Sequence, residues 1–302
     1  MTAMLDTALT TIVPRQYVHR AAVSEVLLTG WQAAEQADAF VVRAQWPRGH
    51  ALFAQSGGYQ DPLLLVESVR QIGSLLSHAE YEVPFGHQFL MLGIGFSATR
   101  DMFVATPAPT EVELHTVCRD IVRRGKALAG MRYEVTAMVD GVALATASAA
   151  FKCTAPGVYQ RLRGDRPTRA NRLPGLPVDP ALVGRTGTEH VVLSQDGASG
   201  NRWEVRADTD HPIFFDHPVD HIPGMVLLEA ARQAAHAATG LTDALVLDLD
   251  SSFARYAELD EPCYIEADPL GADDGGDVQV RVHGVQGRQT VFTARLVLRP
   301  RA

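Results

Sequence analysis

The sequence predicts an α+β protein in which one unit, an antiparallel sheet packed on a single long helix, occurs twice. Three observations carry the prediction. Phe53 to Gln71 and Phe215 to Gln233 align at a constant offset of 162, with Phe53/Phe215, Leu65/Leu227, Glu67/Glu229, Arg70/Arg232 and Gln71/Gln233 identical. Each copy contains one long apolar stretch rich in Leu, Ala, Glu, Arg and Gln, the better helix formers. Runs of β-like segments surround each stretch without alternating with further helices, which favours a helix on an antiparallel sheet over a parallel α/β arrangement.

Taken in order, residues 1–17 read as an N-terminal tail and 18–155 as the first unit. In that unit Val18–Ala33 and Ala39–Trp46 precede a helix over Pro62–Ala79. The segments Gln88–Thr99, Glu111–Val122, Leu128–Val139 and Val142–Cys153 follow as strands, and Asp140-Gly141 marks a hairpin. Residues 156–186 read as a Pro/Arg-rich linker whose arginines, Arg161, Arg163, Arg166, Arg169 and Arg172 among them, suit a solvated loop. The second unit, 187–302, repeats the order with strands His190–Gln195 and Arg202–Ala207 and a helix over Gly224–Thr239. Strands Ala244–Arg255, Cys263–Ala267, Asp277–Val285 and Thr290–Leu298 complete it.

Composition narrows the function. At 302 residues, 46% hydrophobic and 21% charged, the chain is ordinary globular material with enough length for a large core. A net charge of −8 argues against nucleic-acid binding, which draws its affinity from Lys and Arg on phosphates. Cys118, Cys153 and Cys263 lack paired zinc spacing and suit reduced, buried thiols. With no secretory leader pattern and no long uncharged apolar run, the expectation is a soluble cytoplasmic protein without membrane partners.

The polar residues of the second helix, Glu229, Arg232, Gln233 and His236, fall at i, i+3, i+4 and i+7 and so share one stripe. The first helix carries Glu67, Arg70, Gln71 and Ser74 on the same stripe and little other polar surface. Charges on helices this apolar need partners or a chemical task. A carboxylate in an apolar cleft is a usable base unless a neighbouring Arg keeps it ionised, and the sequence leaves that balance open. The guanidinium suits a phosphate or carboxylate. The helix start at Pro223-Gly224 offers free N–H groups to an anion or a polarised carbonyl. Together these suggest acyl chemistry on a charged small molecule, with Gln71 and Gln233 as further binding residues.

Other motifs are weaker. Asp216, His217, Asp220 and His221 have the residue types of a metal cluster, but the favoured reading is a loop that positions the helix start, with no metal. His236 reads as a structural histidine. Gly93-Ile94-Gly95 mimics part of a dinucleotide fingerprint, yet lies inside a strand-like segment. Arg119, Arg123, Arg124 and Lys126 form a basic group at a hairpin end, suited either to an acidic partner or to solvent.

The segments D-H-P-V-D-H-I-P-G-M-V-L-L-E-A-A-R-Q-A (Asp216–Ala234), D-P-L-L-L-V-E-S-V-R-Q (Asp61–Gln71), V-H-R (Val18–Arg20), R-L-R-G-D (Arg161–Asp165) and R-Y-A-E-L-D-E-P-C (Arg255–Cys263) resemble the AfsA family of γ-butyrolactone (A-factor-type) autoregulator synthases. More distantly, P-G-x-x-L-x-E is similar to the central helix of hotdog dehydratases. The resemblance implies a tandem (double) hotdog. It also implies transfer of a β-ketoacyl group from an acyl-carrier-protein thioester to the hydroxyl of dihydroxyacetone phosphate, the ester then cyclising to a butenolide phosphate. By it, Glu67, Glu229 and Arg232 are catalytic, a glutamate taking the hydroxyl proton and Arg232, or Arg70, holding phosphate. His217 or His221 stands near the thioester carbonyl, and Gly224 supplies an oxyanion donor. No cofactor is implied beyond the carrier's phosphopantetheine, and either a monomer or a homodimer is compatible. Where relatives often read H-D-P-L-L, this chain has Gln60-Asp61-Pro62, which leaves open whether both clefts work. Glu229→Gln and Arg232→Ala are expected to abolish turnover with the fold intact. The rival readings are a hotdog thioesterase or dehydratase, and an idle lactone-binding protein.

Overall fold

The computed structural model describes residues 10–170, 175–195 and 200–301. The first half comprises β1 (Leu28–Ala33), β2 (Ala39–Trp46), α1 (Leu63–Ala79), β3 (Gln88–Ala98), β4 (Thr110–Arg124), β5 (Ala127–Val139) and β6 (Val142–Thr154). A short helix α2 (Pro156–Arg163) follows. The second half comprises β7 (Leu193–Gln195), β8 (Arg202–Val205), α3 (Gly224–Thr239), β9 (Leu245–Phe253), β10 (Cys263–Ala272), β11 (Val278–Gln286) and β12 (Gln289–Arg299). Neighbouring strands run β1-β2-β4-β5-β6-β3-β9-β12-β11-β10-β8-β7, so the second half repeats the first half's order in mirror sequence within one antiparallel sheet of 12 strands. This is the double hotdog the resemblance implies.

Alternation places the strands. In β4, Thr110, Val112, Leu114, Thr116 and Cys118 turn inward while Glu111, Glu113 and His115 face solvent. Each helix is enclosed by its own half-sheet, α1 by bulky Leu64, Leu65, Ile72 and Leu75, α3 by small Ala230, Ala231, Ala234 and Ala235, all at 0% exposure. Cys118, Cys153 and Cys263 are buried free thiols.

The halves join where β3 pairs with β9, Gly93 opposite Ser252 and Gly95 opposite Asp250. A Cβ at Gly93 would lie 2.7 Å from the Ser251 carbonyl oxygen, and one at Gly95 2.5 Å from that of Leu249. The Gly-Ile-Gly run is therefore a close-approach device in the middle of the sheet.

Several local expectations change. The strand expected from Val18 starts only at Leu28, because Arg15–Val18 and Val23–Glu25 form 3-10 turns and His19 between them is left-handed (φ 52°). Val13, within the expected tail, is buried and donates its N–H to Leu28 O at 3.0 Å. The linker contains α2, started by Pro156 and stopped by Gly164 at φ 59°. Its Arg163 is buried rather than solvated, whereas Arg161, Arg166 and Arg169 are exposed and Arg172 lies outside the described residues. Among the described residues, no helix is long and apolar enough to cross a membrane.

Candidate active site

Each central helix carries its glutamate into a buried ionic cluster, and the two clusters match part for part. Glu67, 1% exposed, accepts from Arg70 Nε and Nη2 (2.8 and 2.7 Å), from Gln71 Nε2 (2.6 Å) and from Arg20 Nε (3.1 Å). Glu229, 0% exposed, accepts from Arg232 Nη2 (2.6 Å), Gln233 Nε2 (2.5 Å) and Arg185 Nη2 (2.7 Å). Arg20 also donates to Ile213 O and Arg185 to Leu52 O, so each cluster is tied to the opposite half. Gln71 and Gln233 accept from Leu27 N and Val192 N and donate to Glu25 O and His190 O. The glutamines are thus braces between each helix and the segment that leads into its half's first strand.

This geometry decides the balance that the sequence leaves open. Burial pushes the Glu67 carboxyl up, but Arg20 and Arg70 outweigh it and hold it at about 2. Burial likewise raises Glu229, and Arg185 and Arg232 bring it below the usual carboxylate range. Both carboxylates are anchored anions with each oxygen on a guanidinium, which disfavours the expected role of general base.

The clusters differ in what faces their arginine. Arg232 Nη1 donates to Asp61 Oδ2 at 2.9 Å, and Asp61 Oδ1 accepts from Leu63 N at 2.9 Å, closing the start of α1. Gln60 beside it is buried, with its N–H on Phe103 O and its amide on Thr110 Oγ1. One repeat length on, 162 residues after Asp61, stands Pro223, which brings no charge, and α3 begins without a side-chain cap. A cavity of about 230 Å³ opens here, lined by Arg20, Arg70, His19, His217, His221 and Gly224 at its polar end. Phe89, Met91, Tyr133, Phe151, Met225 and Phe253 give it apolar walls. Of the expected residues, the structure thus brings Arg70, His217, His221 and Gly224 together on the cavity. Glu67 stands behind Arg20 and Arg70. Glu229 and Arg232 belong to the other cluster, where neither lines this cavity, and none of Arg119, Arg123, Arg124 and Lys126 lines it either.

His221 is the best-placed proton carrier. Its Nδ1 lies 2.8 Å from Asp220 Oδ1, which assigns the proton to Nδ1 and leaves Nε2 as the acceptor. Burial raises the Asp220 carboxyl, yet hydrogen bonds from His221, Tyr159 and Arg163 hold it well below the usual range. His217 is exposed and pairs with Asp216, whose oxygens also take Ala21 N and Ala22 N. The two Asp-His pairs have separate partners, and among the described residues no group of His, Cys, Asp or Glu is placed to hold a metal ion.

Sequence reasoning left Arg20, Arg185 and Asp61 out of the site. The arginines had a signal: H-R-A-A-V-S-E-V-L-L from His19 and G-R-T-G-T-E-H-V-V-L from Gly184 align at an offset of 165, three more than the helices. The different offset hides them from a gapless comparison.

Buried histidines give a pH dependence. Desolvation lowers His19 to about 3, helped by His78, Arg70 and His217; it lowers His211 to about 4 and His236 to about 3. In the unfolded chain these imidazoles gain protons below about 6.5, whereas in the native state they stay neutral. Unfolding thus takes up as many as three protons, and stability must fall as pH drops from 6.5 towards 4. The melting temperature is expected to be several degrees lower at pH 5 than at pH 7.5 by calorimetry. Equal values would refute the neutral-burial account.

Comparison with known proteins fits this architecture. The A-factor biosynthesis hotdog domain, AfsA, matches residues 1–155 and 168–298. The chain belongs to the AfsA family. It is 52% identical over 287 residues to a 2-oxo-3-(phosphooxy)propyl 3-oxoalkanoate synthase of Streptomyces virginiae, covering 94% of this chain and 97% of that one. It is 38% identical to a synthase of the same name from Streptomyces coelicolor, covering 94% and 90%. Among solved structures, the 12:0-ACP thioesterase of Umbellularia californica shares the fold at a TM-score of 0.52 and 11% identity, covering 86% of this chain and 94% of that one. An acyl-ACP thioesterase of Bacteroides thetaiotaomicron does so at 0.51 and 9%, covering 86% and 98%. Within the AfsA family, then, this chain has one ionic cluster facing an open cavity and one closed by its own aspartate.

Proposed function

We propose that this AfsA-family chain is an acyltransferase that moves a β-ketoacyl group from a carrier-bound thioester to the hydroxyl of dihydroxyacetone phosphate, forming the ester named in its relatives. One observation carries the assignment of the acceptor. The arginine position that the protein fills with its own carboxylate, Asp61 on Arg232, is turned in the other half, at Arg70, towards a cavity that can admit an anion from outside. Arg70 and Arg20, both held in place by Glu67, bind the phosphate there.

The reaction follows from the remaining groups. The thioester carbonyl sits at the start of α3, where the N–H groups of Gly224 and Met225 and the positive helix end receive its oxygen. His221 Nε2 takes the proton of the acceptor hydroxyl as its oxygen attacks the carbonyl carbon. The tetrahedral oxyanion collapses, the carbon–sulfur bond breaks, and the departing thiolate recovers the proton from His221, giving ester and free thiol. The aromatic and methionine walls cover the acyl chain. The phosphopantetheine arm of an acyl carrier protein enters through the exposed side of His217.

Mass spectrometry of the purified protein incubated with a β-ketoacyl carrier thioester and dihydroxyacetone phosphate tests this reading. The expected product is a phosphorylated ester, or the butenolide phosphate formed from it, that requires the acceptor and falls at least about 100-fold in His221→Gln. Free β-keto acid formed at the same rate without acceptor would make the protein a thioesterase instead.

A further inference from the structure

The segment between the two halves also reaches the site through α2. Asp220, which holds the Nδ1 edge of His221, is itself held by α2: Tyr159 Oη donates to Asp220 Oδ1 at 2.6 Å, Arg163 Nε to Oδ2 at 3.0 Å and Arg163 Nη2 to the Asp220 carbonyl at 2.8 Å. The other edge of the guanidinium grips Glu258, at 2.8 and 2.7 Å, in the segment after β9. Its flat face lies 4.1 Å from the ring centroid of Tyr256, which in turn packs edge-on against His221 at 4.9 Å. The Arg163 side chain is 7% exposed, so its charge is balanced by these two carboxylates in the protein rather than by water. A connecting segment needs no such arrangement to connect.

We propose that Tyr159 and Arg163 of α2 are positioning residues for the catalytic histidine, acting through Asp220 to fix the ring and tautomer of His221. The proposal rests on the acyl-transfer reading above. Arg163 bridges the loop before α3 to the segment after β9, and with Tyr256 it leaves the His221 ring one place to stand. Tyr159 shares Asp220 Oδ1 with the imidazole, so its hydroxyl withdraws charge from the oxygen that polarises His221. The charged and titratable groups around that ring are Asp220 and His217 on its own loop, Tyr159 and Arg163 on α2, Arg255, Tyr256 and Glu258 after β9, and His19 and Arg20 across the cavity.

Removing the Tyr159 hydroxyl returns charge to Asp220 Oδ1, which then pulls harder on the Nδ1–H of His221 and frees the carboxylate, and the ring with it, to turn. In Tyr159→Phe, the His221 Cε1–H resonance, identified by its loss in His221→Gln, is expected to move and broaden relative to the native protein as the ring loses its single orientation. In the same variant kcat falls about 3- to 10-fold with the KM for acceptor unchanged. Arg163→Lys, which keeps the charge but cannot span Asp220 and Glu258, is expected to lose about 10- to 100-fold in kcat. A Tyr159→Phe protein with a lowered melting temperature but an unmoved His221 resonance and native kcat would make α2 merely structural and overturn the proposal. His221→Gln turning over like the native protein would also overturn it, while leaving acyl transfer standing. Absence of ester from the native protein would remove the function itself, and this proposal with it, even where the resonance moves.

Discussion

Replacing Arg232 by alanine should destabilise the protein by roughly 3–5 kcal/mol, the usual cost of leaving buried charge without its partner. Asp61 would lose its 2.9 Å guanidinium contact and Glu229 one of its two arginines, both in surroundings that exclude water. Chemical denaturation with the slope held constant is the direct measurement. The sequence expectation was different: turnover lost, fold intact, for Arg232→Ala and Glu229→Gln alike. The two expectations part because both residues stand in the cluster that Asp61 closes. A full-strength fold with lost acyl transfer in Arg232→Ala would restore the original assignment and require the closed cluster to open during turnover.

The counterpart in the other half should behave in the opposite way. Arg70→Lys keeps a cation beside Glu67 and Arg20, so the melting temperature should move little, yet it removes the planar fork that faces the cavity. The expected result is a fall of about 100-fold in kcat/KM for the phosphorylated acceptor, about 3 kcal/mol at 1.4 kcal/mol per decade. Steady-state kinetics with acceptor varied at saturating thioester reads it. The KM for the carrier thioester should stay within about threefold, because that substrate is held by the helix start and the apolar walls. An unchanged acceptor KM would place the phosphate elsewhere.

Much of this architecture is visible in the chain because two periods coincide. Helical spacing puts Glu67, Arg70 and Gln71 on one face, and the 162-residue repeat puts Glu229, Arg232 and Gln233 on the same face of the second helix. Strand alternation and the Asp140-Gly141 turn mark β5 and β6 to within a residue. What escapes is contact between the halves. Nothing in the spacing of Asp61 reveals that it meets Arg232, 171 positions away, and nothing near Arg70 reveals that its cleft is completed by the start of α3. Arg163 escapes for another reason: an arginine among prolines and other arginines looks solvated, and only its carboxylates, brought from Asp220 and Glu258, make it a buried one.

The join between β3 and β9 has a consequence for how such a site can change. In an assembly of two identical hotdog subunits, symmetry copies every substitution into both clefts, so an aspartate that seals one seals the other and the protein is lost. With the halves covalently continuous across Gly93 and Gly95, Asp61 closes one cleft and leaves its twin untouched. Fusion thus lifts the constraint that identical subunits impose. One half becomes free to harden into scaffold while the other takes on a bulkier, charged acceptor.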